Sequence, residues 1–178
     1  MSLALYPDEC PLGFLITFRC YGTWLHGDQR GSVDREHNKI GTPFVEANGR
    51  RQEFERTAMS QPPYRLDELR RQTVLNAIRE VCEYRKWLLF AVHVREDHVH
   101  VVVQSGIIPE KTMNDFKSYS TRALKKLDAE PQECERWSRH GSTRWLWKEA
   151  AVEDSIRYTL DEQGERLTYY DRSENPNR

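Results

Sequence analysis

The 178-residue chain is short of several things, and each shortage removes a class of explanation. Its four cysteines, Cys10, Cys20, Cys82 and Cys134, form no CxxC pair and no zinc-ribbon spacing. A disulfide framework or a thiolate zinc site is therefore not indicated. No run approaches the roughly 18 apolar residues of a membrane span, and no hydrophobic leader precedes the cysteines. The expectation is a cytoplasmic protein with reduced thiols and no membrane partner. No internal repeat argues for a solenoid, and the length suits one domain, 1–178, with a real core. A strong charge bias is missing as well, since the formal net charge is −1.

That balance is uneven along the chain. Residues 111–148 hold nine Lys/Arg against five Asp/Glu, whereas residues 151–178 hold four against seven. A local basic patch and ordinary solvated helix faces are equally compatible with this pattern. Five tryptophans and eight tyrosines provide either core material or surfaces on which bases stack.

Alternation and helical periodicity place the elements. In "FLITFRCY", Phe14, Ile16, Phe18 and Cys20 form an apolar strand face, and Thr17, Arg19 and Tyr21 the other. From His26 to about Pro63 the chain is polar with no sustained period, and reads as a long loop insertion. A helix follows, with Leu66, Leu69, Val74, Ala77, Ile78, Val81 and Cys82 as its stripe. "LLFAVHV", the turn "RED" and "HVHVVVQS" form a hairpin. Thr112 and Asp115 mark a helix start, and Met113, Phe116, Tyr119, Ala123, Leu124 and Leu127 its buried side. "STRWLWKEA" is a short strand with Trp145 and Trp147 alternating, and "AVEDSIRYTLDEQGER" a last helix stopped near Gly164. The order β-α-β-β-α-β-α predicts an α+β, ferredoxin-like (RRM-like) antiparallel sheet with helices on one face and an additional C-terminal helix.

The chemistry begins at "DHVHVVVQ". Strand alternation puts His98, His100, Val102 and Gln104 on one face and Val99, Val101 and Val103 on the other. A zinc protease needs HExxH on a helix, so that reading fails. A histidine-triad hydrolase needs a third histidine where Val102 stands. Two structural strand histidines remain an alternative. On the last helix Val152, Ile156 and Leu160 form the apolar stripe, and Tyr158 points about 160° away from its stripe neighbours. Tyr158 shares the polar face with Asp154 and Glu162. It reads either as an exposed or interface tyrosine or as a nucleophile beside a metal ligand.

"DHVHVVV", the downstream "WLW" and the helix bearing "YTLDEQ" resemble the HUH single-tyrosine transposases, including the REP-associated tyrosine transposases of bacteria. The resemblance runs from about Phe14 to Gln163. It implies His98 and His100 as metal ligands, Tyr158 as the nucleophile, and a third polar ligand about one turn beyond. Family members place that ligand four residues after the tyrosine, often as Gln; here Glu162 holds that position and Gln163 follows it. An uninterrupted helix favours Glu162, which lies 40° from the tyrosine against 140° for Gln163. The implied cofactor is a divalent ion, Mg²⁺ or Mn²⁺, and the implied reaction is cleavage and rejoining of single-stranded DNA through a 5′-phosphotyrosine. Arg19, Lys117, Arg122, Lys125, Lys126, Arg139, Arg144 and Lys148 are candidates for tracking the DNA backbone. Trp145, Trp147 and Tyr21 are candidates for stacking bases. The resemblance further implies a DNA hairpin as partner and a homodimer in which the tyrosine helix serves the other protomer's histidines. The alternatives are a replication-initiator or relaxase type of HUH nickase, and a non-catalytic nucleic-acid-binding module.

Overall fold

The computed structural model describes residues 10–25, 49–128 and 134–174. Its central feature is a five-stranded antiparallel sheet in the order β4-β1-β3-β2-β5. In chain order the elements are β1 (Gly13–Cys20), α1 (Gly49–Thr57), α2 (Glu68–Arg85), β2 (Leu88–Val94), β3 (His98–Gln104), α3 (Pro109–Asp128), β4 (Trp137–Leu146), α4 (Glu149–Asp161) and β5 (Thr168–Asp171).

The alternation in β1 and β3 divides the molecule into layers. Phe14, Ile16, Phe18 and Cys20 of β1 and Val99, Val101 and Val103 of β3 pack into one core with Val74, Ile78 and Val81 of α2 and Met113, Phe116 and Leu124 of α3. Burying each of these large apolar side chains contributes about 1.5–3 kcal/mol. On the other face a smaller core forms from Ala91, Val102, Leu146, Val152 and Leu160, which seats α4. The α+β antiparallel arrangement is thus the expected one, with α2 and α3 on one face and the tyrosine-bearing α4 on the opposite face.

Helix α2 begins where its cap begins. The Asp67 side chain accepts from the backbone N–H of Arg70 at 2.8 Å, which satisfies one of the amides that a helix start leaves without a partner. Leu66 is buried just ahead of the helix, while Leu69, expected on the buried stripe, is 62 % exposed. The stripe therefore starts at Val74. Helix α3 starts at Pro109, three residues before the predicted Thr112. Proline suits a first helical turn because its missing N–H would have no partner there. Thr112 instead lies buried inside the helix, its hydroxyl 2.8 Å from Ser105 Oγ.

Three further expectations are corrected. The predicted loop over 26–63 contains α1; residues 26–48 of that segment lie outside the described residues. This helix gave no apolar period because it buries no apolar face, with Phe54 73 % exposed. Strand β4 begins at Trp137, earlier than predicted, and ends before Trp147. Strand β5 was not anticipated at all: four residues, pairing with β2 from Ala91↔Asp171 to Val94↔Thr168, complete the sheet beyond α4. At Gly141 a β-carbon would lie 2.5 Å from the Thr17 carbonyl oxygen and would also meet Met113, so this position in β4 is closed to any larger residue.

Candidate active site

The register of β1, β2 and β3 sets three histidines side by side on the face that α4 covers. Arg19 and Thr17 of β1 stand opposite His98 and His100 of β3, and His93 of β2 stands opposite His100 on the other side. The rings of His98 and His100 have centroids 4.8 Å apart and lie nearly perpendicular. His98 Nδ1 is 2.6 Å from Asp97 Oδ1. A carboxylate oxygen accepts, so Nδ1 carries a proton and Nε2 is the nitrogen left to face the site. His100 is almost fully buried, and that burial, followed by the nearby His98, pushes its pKa down to about 3. It is a neutral imidazole at physiological pH.

Helix α4 brings the tyrosine to this pair. Val152 and Leu160 are buried beneath it and Tyr158 is 39 % exposed, with its ring edge-on to His100 at 5.5 Å between centroids. Tyr158 thus lies off the core stripe, as predicted, and against a histidine of its own chain.

The end of α4 decides which residue follows the tyrosine into the site. The helix stops at Asp161, and Glu162 already has non-helical backbone angles. Gly164, with φ +79°, turns the chain back, and Arg95 holds that turn through the Glu165 carbonyl at 3.0 Å. Gln163 consequently swings towards the sheet. Its Oε1 lies 3.2 Å from His100 Nε2, and its Nε2 donates to the Tyr158 carbonyl at 3.4 Å. Glu162 points elsewhere, its carboxylate 3.6 Å from Arg157 Nε. The expectation that plus four would face the tyrosine's neighbours assumed a helix that ran on; the structure brings together His98, His100, Tyr158 and Gln163, and leaves Glu162 outside.

Among the described residues no three His, Cys, Asp and Glu side chains are placed to hold a metal ion. A donor set exists only if an amide oxygen is counted. The separation of His100 Nε2 and Gln163 Oε1 is close to the ~3 Å between adjacent ligands of an octahedral ion with bonds near 2.1 Å. Carbonyl oxygen suits ions such as Mg²⁺ and Mn²⁺ and imidazole suits first-row transition ions, so this mixed donor set fits a divalent ion.

The expected basic residues separate into distinct places. Arg19 lies beside the histidines with its guanidinium 3.6 Å over the Trp24 ring. Arg144 is exposed on β4 and shares a strand face with Leu146, beneath α4; Arg139 and Lys148 are exposed near the two ends of β4. Arg122, Lys125 and Lys126 are exposed on α3, in the layer behind the sheet. Lys117 is a correction: it is buried, and its ammonium donates to the carbonyls of Ser138, Arg139 and His140 at 2.9, 3.4 and 3.3 Å. Burial pushes its pKa down to about 8. Such a lysine ties α3 to β4 and does not meet a phosphate. Trp145 packs edge-on against Phe14 at 5.0 Å and stacks on Trp147, which is 45 % exposed. Tyr21 is 3.3 Å from Ser60 through its hydroxyl.

The family model for "Transposase IS200 like" matches residues 62–150. The chain belongs to the IS200-like transposase family. The match takes in His98 and His100 of this family member and ends before Tyr158 and Gln163. A solved structure described as "Structure of the REP associates tyrosine transposase bound to a REP hairpin" is similar at 12 % identity and a TM-score of 0.47, over 88 % of this chain and 70 % of that one. No curated protein matches. Among the described residues, no helix is long and apolar enough to cross a membrane.

His93 is the site residue that the sequence did not single out. It is fully buried and neutral, its pKa lowered chiefly by that burial. It was missed because β2 is an almost continuous apolar run buried on both faces, so its pattern marks no face for His93.

Proposed function

We propose that the protein is a metal-dependent transesterase acting on single-stranded or hairpin DNA, cleaving and rejoining strands through a 5′-phosphotyrosine at Tyr158. The observation that carries this reading is the convergence of Tyr158 and Gln163 on His100 from the end of one helix. Held by His98, His100 and Gln163, an ion of the Mg²⁺ or Mn²⁺ type would supply Lewis-acid polarisation of the scissile phosphate. The Tyr158 oxygen attacks phosphorus and gives up its proton. The bond to the 3′-oxygen breaks, and that oxygen leaves as a hydroxyl once protonated. The 5′-phosphate stays on the tyrosine. Because the reaction exchanges one phosphate ester for another, a 3′-hydroxyl of a second strand can reverse it without ATP.

The chain's own residues prepare this step. Asp97 orients His98, Thr17 orients His100, and Gln163 fixes the last turn that carries the tyrosine. In this reading Arg19 and Arg144, on the same sheet face, meet phosphates flanking the cut. The 5.5 Å contact between the Tyr158 and His100 rings within one chain supports a tyrosine that acts on the histidines of its own protomer.

Denaturing electrophoresis of the protein with end-labelled hairpin strands and Mn²⁺ tests the proposal. The 3′-label should migrate with the protein and the 5′-label should not. Tyr158→Phe keeps the ring and its packing while deleting the attacking oxygen, so the adduct should vanish with DNA affinity retained. No adduct in the parent protein would leave a nucleic-acid-binding module as the better reading.

A further inference from the structure

The carbonyls in the last turn of a helix have no partner within it, and in α4 two of them are taken by side chains around the site. The Tyr158 carbonyl accepts from Gln163, and the Thr159 carbonyl lies 3.0 Å from His93 Nδ1. The other nitrogen of His93 is also engaged: the Leu167 backbone N–H donates to Nε2 at 3.1 Å. A backbone amide can only donate, so Nε2 holds the lone pair and the proton sits on Nδ1, where it serves Thr159. One imidazole thus grips the segment at two points. Thr159 directly follows Tyr158, and Leu167 comes four residues after Gln163.

A histidine that merely filled the core would be satisfied by any donor and acceptor. Both partners of His93 belong to the segment that brings Tyr158 and Gln163 to His100, and His93 is the cross-strand neighbour of His100 itself. From this arrangement we propose that His93 is a positioning residue: it fixes the end of α4 and its return turn on the sheet, and so sets where Tyr158 and Gln163 stand relative to His100. The role rests on the cleavage reading above, although the placement it describes can be observed without cleavage. It also accounts for Gln163 rather than Glu162 facing the histidine, because the chain between the two grips must turn within Leu160 to Arg166.

The test uses the full chain with two variants. His93→Leu fills similar space and makes neither bond; His93→Asn keeps an N–H where Nδ1 stands. Nuclear Overhauser contacts between the Tyr158 and His100 rings are measured without metal, and adduct formation is measured in single turnover at saturating hairpin DNA with Mn²⁺. In His93→Leu the ring contact should disappear and adduct formation should slow about a hundredfold, the scale of an ångström-sized misplacement. DNA affinity and the contacts between α2 and α3 should be unchanged. His93→Asn should restore the ring contact and most of the rate. Retention of the ring contact and the rate in His93→Leu would overturn the proposal. If the leucine variant does not fold, Leu167→Pro decides, since it removes only the N–H that His93 Nε2 accepts: a lost ring contact with a slower adduct supports the role, and a kept ring contact with an unchanged adduct rate overturns it. A parent protein that forms no adduct would sink the cleavage reading alone, leaving the ring contact to judge what His93 places.

Discussion

Thr17 and His100 face each other across β1 and β3, with the threonine hydroxyl 2.7 Å from His100 Nδ1. On the other side of that ring, Gln163 presents its oxygen to Nε2, because its nitrogen is committed to the Tyr158 carbonyl. His100 therefore carries its proton on Nε2 in the metal-free protein, and Thr17 donates to Nδ1. Ligation through Nε2 requires the proton on Nδ1 instead. A hydroxyl both donates and accepts, so Thr17 can rotate and serve either tautomer. His98 needs no such change, since Asp97 already fixes it. Thr17→Val keeps the shape and removes the swivel, and should weaken Mn²⁺ binding by ~10- to 100-fold. Isothermal titration checks this; Thr17→Ser should bind as the parent does.

Gln163 and Glu162 are adjacent, and only the first faces His100. Gln163→Ala should reduce Mn²⁺ affinity and adduct formation together. Glu162→Ala should leave both near the parent level, since it removes an exposed ion pair with Arg157 of the kind that contributes ~0–1 kcal/mol. Loss of metal binding in the second variant only would restore the plus-four residue as the ligand.

Acid should destabilise the metal-free protein through His100. Its ordinary pKa of 6.5 falls to about 3 in the folded state, so between those values the unfolded chain binds a proton that the folded chain refuses. Stability is full above about pH 6.5 and declines as pH falls towards 3. His93 acts in the same direction. Denaturant titrations between pH 7 and pH 4 should record a falling midpoint, with a shallower fall in a His100→Asn variant.

Lys117 and Arg144 should respond differently to substitution although both are cationic. Lys117→Met strands three carbonyls and should cost ~1–3 kcal/mol of stability without changing the salt dependence of DNA binding. Arg144→Ala should leave stability nearly unchanged and lower the salt slope of hairpin binding by about 1. Fluorescence anisotropy over a range of salt concentrations, with thermal melts alongside, separates the two.

Where a segment buries one face, its period was legible, as in β1 and the stripe of α2 from Val74; the hairpin of β2 and β3 was legible instead from two apolar runs rich in β-branched residues joined by a short turn. Where a segment buries little or is very short, pattern carries no information, which is why α1 and β5 were missed. The histidine pair was legible for the same reason as β3, since two residues on one strand share a face. The third group was not, because its placement depends on where α4 stops, and helix ends are decided by the turn at Gly164 and the grip of His93 rather than by propensity. Lys117 was misread because charge predicts exposure only until tertiary packing supplies acceptors.

The two cores differ in size, and the smaller one seats the helix that carries Tyr158. Local unfolding follows the number of buried apolar contacts, so α4, held by its Val152 and Leu160 against Ala91, Val102 and Leu146, opens at lower cost than the α2–α3 layer. In the proposed reaction a strand joined to Tyr158 is tethered to the less firmly seated of the two helical layers. The movement open to a bound strand is then the lifting of one helix from a sheet that stays folded.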